Sequence, residues 1–86
     1  MSKIATSEIS QALCNFIIGN LVAPNIEVDP ETPLEKLGLD SFAIIEIILF
    51  IERKYGLTLP DHELTKENIY SPQSLAKCIV KYKISH

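Results

Sequence analysis

Apolar positions along the chain recur at helical spacing in three stretches, separated by segments rich in proline and glycine. No alternating run is long enough to demand a sheet. The first stretch runs from about Ser7 to Leu21, with Ile9, Ala12, Leu13, Phe16 and Ile17 on one stripe. Ser7 or Thr6 can cap its start, and Gly19, Asn20 and Pro24 end it. The second runs from about Ser41 to Tyr55, where Gly56 stops it and Pro60 follows. A short turn or helix then covers roughly His62 to Ile69. The last stretch, about Pro72 to Lys83, opens with Ser71 as cap and proline at the first helical position. Leu75, Cys78, Ile79 and Tyr82 share one side of it. Lys77, Lys81 and Lys83 lie towards its C-terminal end, where the helix dipole favours positive charge.

Between the first two helices lies a long segment, about Val22 to Asp40, kept non-helical by Pro24, Pro30 and Pro33. Ile26, Val28, Leu34 and Leu37 are spaced to drop into a core and pin it down. A compact domain rarely keeps so long a loop without a use for it. The expected architecture is all-α: a four-helix up-and-down bundle of three main helices and one short one, with a long loop between helices one and two. Residues 1–86 are expected to form a single domain, with an ordered core over about 7–83.

Helix two carries more apolar surface than one core face needs. On a wheel of about 100° per residue, Ile44, Ile47, Ile48, Ile51 and Tyr55 fall on one arc. Phe42, Ile45 and Leu49 make a second group, flanked by Glu46, Glu52 and Arg53. An apolar stripe with a charged border, left facing water, is the pattern of a docking surface. A central helix buried on two faces would read the same way, and Ala43 and Phe50 blur the distinction.

Composition narrows the class. Hydrophobic residues make up 47% of the chain, too many for a disordered tail. The run from Phe42 to Ile51, broken by Glu46, is far short of the roughly 20 residues a membrane span needs. Met1 to Glu8 lack an apolar signal core, so a cytoplasmic protein is the expectation. The net charge of −3 is uneven. Between residues 27 and 52, Glu27, Asp29, Glu31, Glu35, Asp40, Glu46 and Glu52 face only Lys36, whereas residues 53–86 are net basic. An acidic middle argues against nucleic acid as partner and favours a partner with a basic surface, although plain solubilising charge gives the same count. Cys14 and Cys78 are far apart and lie on apolar helix faces, which reads as two buried reduced thiols. His62 and His86 are isolated, and no metal-ligand cluster exists.

Ser41 follows Asp40 where helix two begins. A serine there is ordinarily a cap. The same position suits a phosphodiester, because unpaired backbone N–H groups and the helix dipole stabilise an anion. The segment Thr32-Pro33-Leu34-Glu35-Lys36-Leu37-Gly38-Leu39-Asp40-Ser41-Phe42 resembles the attachment site of acyl carrier proteins and related carrier domains, whose hallmark is Leu-Gly-x-Asp-Ser followed by a large apolar residue. The resemblance continues through Ile45, Glu46, Leu49 and Glu52, through Tyr55-Gly56-Leu57-Thr58-Leu59-Pro60-Asp61, and through Ser71-Pro72-Gln73-Ser74-Leu75. It covers residues from about 7 to 83 in order.

This resemblance implies a carrier fold with 4′-phosphopantetheine attached to Ser41 by a phosphopantetheinyl transferase that takes it from coenzyme A. It implies a thiol that holds an acyl or aminoacyl cargo as a thioester, and a chain that is not itself an enzyme. Asp40 would belong to the transferase's recognition sequence. Phe42, Ile45, Glu46 and Leu49 match positions where such carriers meet partner enzymes, and Glu52 and Arg53 border them. The implied partners are an acyl- or aminoacyl-activating ligase or adenylation enzyme and a downstream acyltransferase or synthase; the single-domain length leads to the expectation of a monomer acting free. Phe42 replaces the family's usual leucine, Ala43 stands where fatty-acid carriers have an acidic residue, and Arg53 interrupts a usually acidic stretch. These departures imply a dedicated carrier for a specialised lipid, polyketide or nonribosomal peptide pathway.

Two other functions compete at this point. An interaction module that never carries an arm would use the second stripe of helix two to dock a partner helix. A hydrolase with Ser41 as nucleophile needs a base, for which His62 is the only internal histidine, and no Gly-x-Ser-x-Gly elbow surrounds the serine.

Overall fold

The computed structural model of the chain describes residues 5–85, with side chains over residues 5–82. Met1 to Ile4, His86 and the side chain of Lys83, all read above from sequence, lie outside the described residues. Three α-helices form: α1 (Thr6–Asn20), α2 (Ser41–Tyr55) and α3 (Pro72–Ser85). Short 3-10 turns occupy Leu34–Leu37 and Asp61–Glu63.

α1 begins one residue before the expected start, which removes the expected caps. Ala5 is the N-cap, with no side-chain cap bond, and its carbonyl accepts from the N–H groups of Glu8 and Ile9. Thr6 and Ser7 lie inside the first turn, where helical backbone angles prevent a capping geometry. Ile9, Leu13 and Ile17 are fully buried along the predicted stripe. α3 starts as expected: Ser71 Oγ accepts from the N–H of Ser74, and Pro72 opens the helix.

α2 ends because Gly56 adopts a left-handed φ of 64° that residues with a Cβ seldom reach. The short fourth element takes the form of a 3-10 turn at Asp61–Glu63, with turns after it and no α-helix over residues 62–69. Local side chains compete for the backbone there. Asn68 Nδ2 donates to the Glu63 carbonyl at 2.6 Å, and Thr65 Oγ1 accepts from the Asn68 N–H at 3.2 Å.

The core joins Ile9, Leu13 and Ile17 of α1 to Ile47 and Ile51 of α2 and to Leu75, Ala76 and Ile79 of α3. Phe16 stacks on Phe50 with ring centroids 4.3 Å apart, which fixes where α1 and α2 meet. The long loop is pinned by Leu34, which is buried, with Val28 and Leu37 partly so. Ile26 corrects the expectation: a turn in which its N–H meets the Ala23 carbonyl leaves its side chain at the surface. Two backbone hydrogen bonds stitch this loop to the start of α3, from Leu34 N to Tyr70 O at 2.9 Å and from Gln73 N to Pro30 O at 2.7 Å. The radius of gyration is 12.1 Å, matching the ~12 Å of a folded chain of this length.

Candidate functional site

The N-terminal end of α2 is set by the residues just before it. Gly38 takes a φ of 73° and closes the 3-10 turn of Leu34–Leu37, its N–H donating to the Glu35 carbonyl. That left-handed step turns the chain into Leu39 and Asp40. Asp40 is the N-cap in extended geometry, and its Oδ1 accepts from the Ala43 N–H at 2.9 Å.

This cap bears directly on Ser41. The cap is supplied by Asp40, and Ser41 is the first helical residue. Ser41 is exposed, and its hydroxyl makes no hydrogen bond among the described residues. A serine retained for capping would spend its oxygen on a backbone N–H. This one leaves a nucleophilic oxygen open to a modifying enzyme at the positive end of a helix dipole. An exposed, unengaged hydroxyl fits the esterified end of a phosphopantetheine group.

The second stripe of α2 faces water, which removes the alternative of a helix buried on both sides. Phe42 is 75% exposed, Ile45 53% and Leu49 45%, while Ile47, Ile48 and Ile51 are buried opposite them. Glu46 and Arg53 are exposed beside the stripe. Glu52 is less free: its Oε2 accepts from the Leu59 N–H at 3.0 Å, holding the chain that leaves α2. The predicted docking residues therefore share one helix face, with Glu52 at its edge tied to the fold.

A pocket of about 370 Å³ lies against this end of α2, lined by Leu34, Glu35, Leu39, Ile44, Lys66, Ile69 and Tyr70. Leu39 and Ile44 flank Ser41 in the chain. Lys66, Ile69 and Tyr70 come from the turn region before α3, so no local spacing links them to the serine, and sequence reasoning missed them.

Other candidate chemistry does not assemble. His62 Nε2 lies 3.6 Å from Glu63 Oε2 and makes no hydrogen bond to Ser41. Cys14 and Cys78 are buried and free. Burial pushes both thiols above the ordinary value, aided by the charge of Asp29 at Cys14 and of Glu63 at Cys78. Among the described residues no group of His, Cys, Asp and Glu could hold a metal ion, and no helix is long and apolar enough to cross a membrane.

Comparison with known proteins bears on the same segment. The family model for the phosphopantetheine attachment site matches residues 11–79. Aminoacyl carrier protein 2 of Bradyrhizobium diazoefficiens is 34% identical over 58 residues, covering 67% of this chain and 65% of that protein, so the match spans just under two thirds of that relative. The anthracycline acyl carrier protein DauA of Streptomyces sp. is 32% identical over 75 residues, covering 87% of this chain and 86% of that protein. Among solved structures, a chain in the crystal structure of Bradyrhizobium japonicum glycine:[carrier protein] ligase complexed with glycylated carrier protein superposes with a TM-score of 0.69 at 26% identity, covering 85% of this chain and 96% of that one.

Proposed function

The chain belongs to the phosphopantetheine attachment site family of acyl and aminoacyl carriers, and from that premise we propose that Ser41 is its point of attachment. The observation that carries the assignment is the exposed Ser41 hydroxyl, left unbonded because Asp40 caps the helix. In the loading step Ser41 Oγ bonds to the phosphorus of coenzyme A that bears the pantetheine. The pyrophosphate P–O bond breaks, adenosine 3′,5′-bisphosphate leaves, and the serine proton passes to a base of the transferase. Once bound, the group supplies a terminal thiol on a flexible arm, to which an acyl or aminoacyl cargo is held as a thioester.

The chain's own contribution is to present and to dock. Asp40 fixes the first turn so that Ser41 points outward, and it forms part of what the transferase reads. Phe42, Ile45, Glu46 and Leu49 offer partners an apolar stripe with an acidic edge, and Arg53 adds a cation at its far end. The partners are a phosphopantetheinyl transferase, a ligase that activates the cargo and a downstream acyltransferase or synthase, all meeting a cytoplasmic monomer that does no chemistry itself. The exposed phenyl of Phe42 and the missing acid at Ala43 favour a dedicated ligase over the enzymes of general fatty acid synthesis. The relative named an aminoacyl carrier and the neighbour bound to a glycine ligase support an aminoacyl cargo, and the anthracycline carrier supports an acyl one.

Intact-mass analysis after incubation with coenzyme A and a broad-specificity phosphopantetheinyl transferase tests the assignment. The expected result is a single phosphopantetheine adduct that Ser41→Ala abolishes. An unmodified wild-type chain would overturn it and leave a docking module without an arm.

A further inference from the structure

The exposed stripe of α2 does not stop where the helix stops. An open groove of about 480 Å³ takes over there, lined by Leu49, Glu52, Arg53, Leu57 and Thr58. Leu49 closes the stripe and opens the groove. Leu57 and Thr58 lie past Gly56, outside the helix, where no helical spacing links them to the stripe. Glu52 fixes their position. Its carbonyl accepts from the N–H groups of Gly56 and Leu57, and its Oε2 accepts from the Leu59 N–H at 3.0 Å. Leu59 is itself buried in the core. The chain over 57–59 is therefore clamped to the last turn of α2, and the groove is part of the folded backbone.

Charge is placed unevenly along this surface. Glu46 and Arg53 stand about two turns apart, roughly 10 Å along the axis and on one side of the helix. Both are exposed, and neither forms an ion pair among the described residues. Lys54, the other cation of the last turn, is engaged elsewhere. Its ammonium lies 5.9 Å from the centre of the Tyr55 ring, and it lines a separate groove against α1. The carboxylate of Glu52 already holds the Leu59 N–H. Among the lining residues, Arg53 thus carries the charge that the fold leaves unanswered. A cation in a last turn complements the helix dipole, which accounts for Arg53 alone. It does not account for a groove that sets two leucines beside it.

We infer that this groove seats an aspartate or glutamate of a partner protein, next to an aliphatic side chain, and that Arg53 is a specificity-determining residue for that partner. The inference rests on the reading of Phe42, Ile45 and Leu49 as a docking face. The planar guanidinium takes a carboxylate through two parallel N–H bonds. The aliphatic neighbour packs on Leu49 and Leu57. Glu46 attracts a base nearer the start of the helix, so the face has a direction. A matching partner presents a base, then apolar surface, then an acid, in that order along α2. A partner that is basic throughout gains at Glu46 and is repelled at Arg53. The two charges are separated by about one Debye length at 0.1 M salt, so each end is read largely on its own. Complementary order of this kind sets orientation and excludes wrong partners more than it adds affinity.

The test uses the full chain, isotope-labelled, and two synthetic amphipathic peptides held helical by a hydrocarbon staple. Both have a leucine face and a spin label at the C-terminus. One carries lysines at its N-terminal end and glutamates at its C-terminal end, and the other has these ends exchanged. NMR line broadening then reports which way each peptide lies on α2. The label beside the glutamates should broaden the amides of Arg53, Leu57 and Thr58. The label beside the lysines should broaden those of Phe42, Ala43 and Glu46. Arg53→Gln should weaken binding of both peptides about three-fold, the scale of one exposed ion pair. Arg53→Glu should abolish the directional preference and strengthen binding of a third peptide whose charges are all lysine. The side chain is exposed, so these variants fold, and an unchanged thermal midpoint confirms it. Identical broadening by the first two peptides, or a direction that survives Arg53→Glu, would overturn the inference and leave the docking face standing. Absence of broadening along α2 at millimolar peptide would remove the docking face and the groove together. The adduct on Ser41 is read by mass, apart from all of these outcomes.

Discussion

At the scale of single residues, adjacent side chains divide two tasks. Asp40 holds the helix and Ser41 stays free. Asp40→Ala should cost about 1 kcal/mol, the usual worth of an N-cap, read from a urea titration. Ser41→Ala should leave the midpoint almost unmoved, since its oxygen bonds to nothing in the fold. The two thiols make a second pair of markers. Burial raises both above their ordinary value, so the folded chain keeps protons that the unfolded chain releases. Their contribution to stability is complete below about pH 8.5 and declines as pH climbs towards the raised folded-state values. Thiol titration at neutral pH should find both cysteines unreactive in the native protein and reactive in urea; fast native labelling would show that the burial is wrong. The Asp-Ser pair and the buried cysteines were legible in sequence. Which of Asp40 and Ser41 does the capping was not, because both are good caps and only backbone geometry chooses between them.

At the scale of elements, α2 was the most readable part of the chain, and its limits and two faces followed from the spacing of isoleucines and from Gly56. The exposed face is where specificity is to be sought. Phe42→Ala should change stability by no more than about 0.5 kcal/mol, because the ring is 75% exposed, yet weaken binding to the cognate ligase tenfold or more. Calorimetry with that ligase would read both quantities, and undiminished affinity would remove Phe42 from the interface. Glu52 shows what a wheel cannot display. It lies at the edge of the exposed stripe, but its carboxylate is turned to Leu59, seven residues on, a bond that exists only once the chain has left the helix. The stretch from His62 to Ile69 was ambiguous for a related reason. Its apolar residues are too sparse to enforce a period, and Asn68 and Thr65 offer the backbone alternatives to helical bonds.

At the scale of the whole molecule, one core serves three helices, and little in it is redundant. Ile51 is fully buried among residues of that core, so Ile51→Ala should cost ~2–5 kcal/mol, a large share of what a domain this small possesses. Thermal unfolding would check this, and a loss under about 1 kcal/mol would mean that the core refills easily. The bundle and its single core could be read from apolar periodicity. The pocket could not, because it needs Leu39 and Ile44 to meet Ile69 and Tyr70 across the fold. The two stitches between the proline-rich loop and the start of α3 bear on how the protein is born. A ribosome releases Pro30 and Leu34 about forty residues, at roughly 1.5–3.5 Å each, before the Tyr70 and Gln73 groups that anchor them. Until those emerge, the strap ahead of the serine lacks these two moorings, so the segment that leads into α2 reaches its folded position only after Gln73 has left the ribosome.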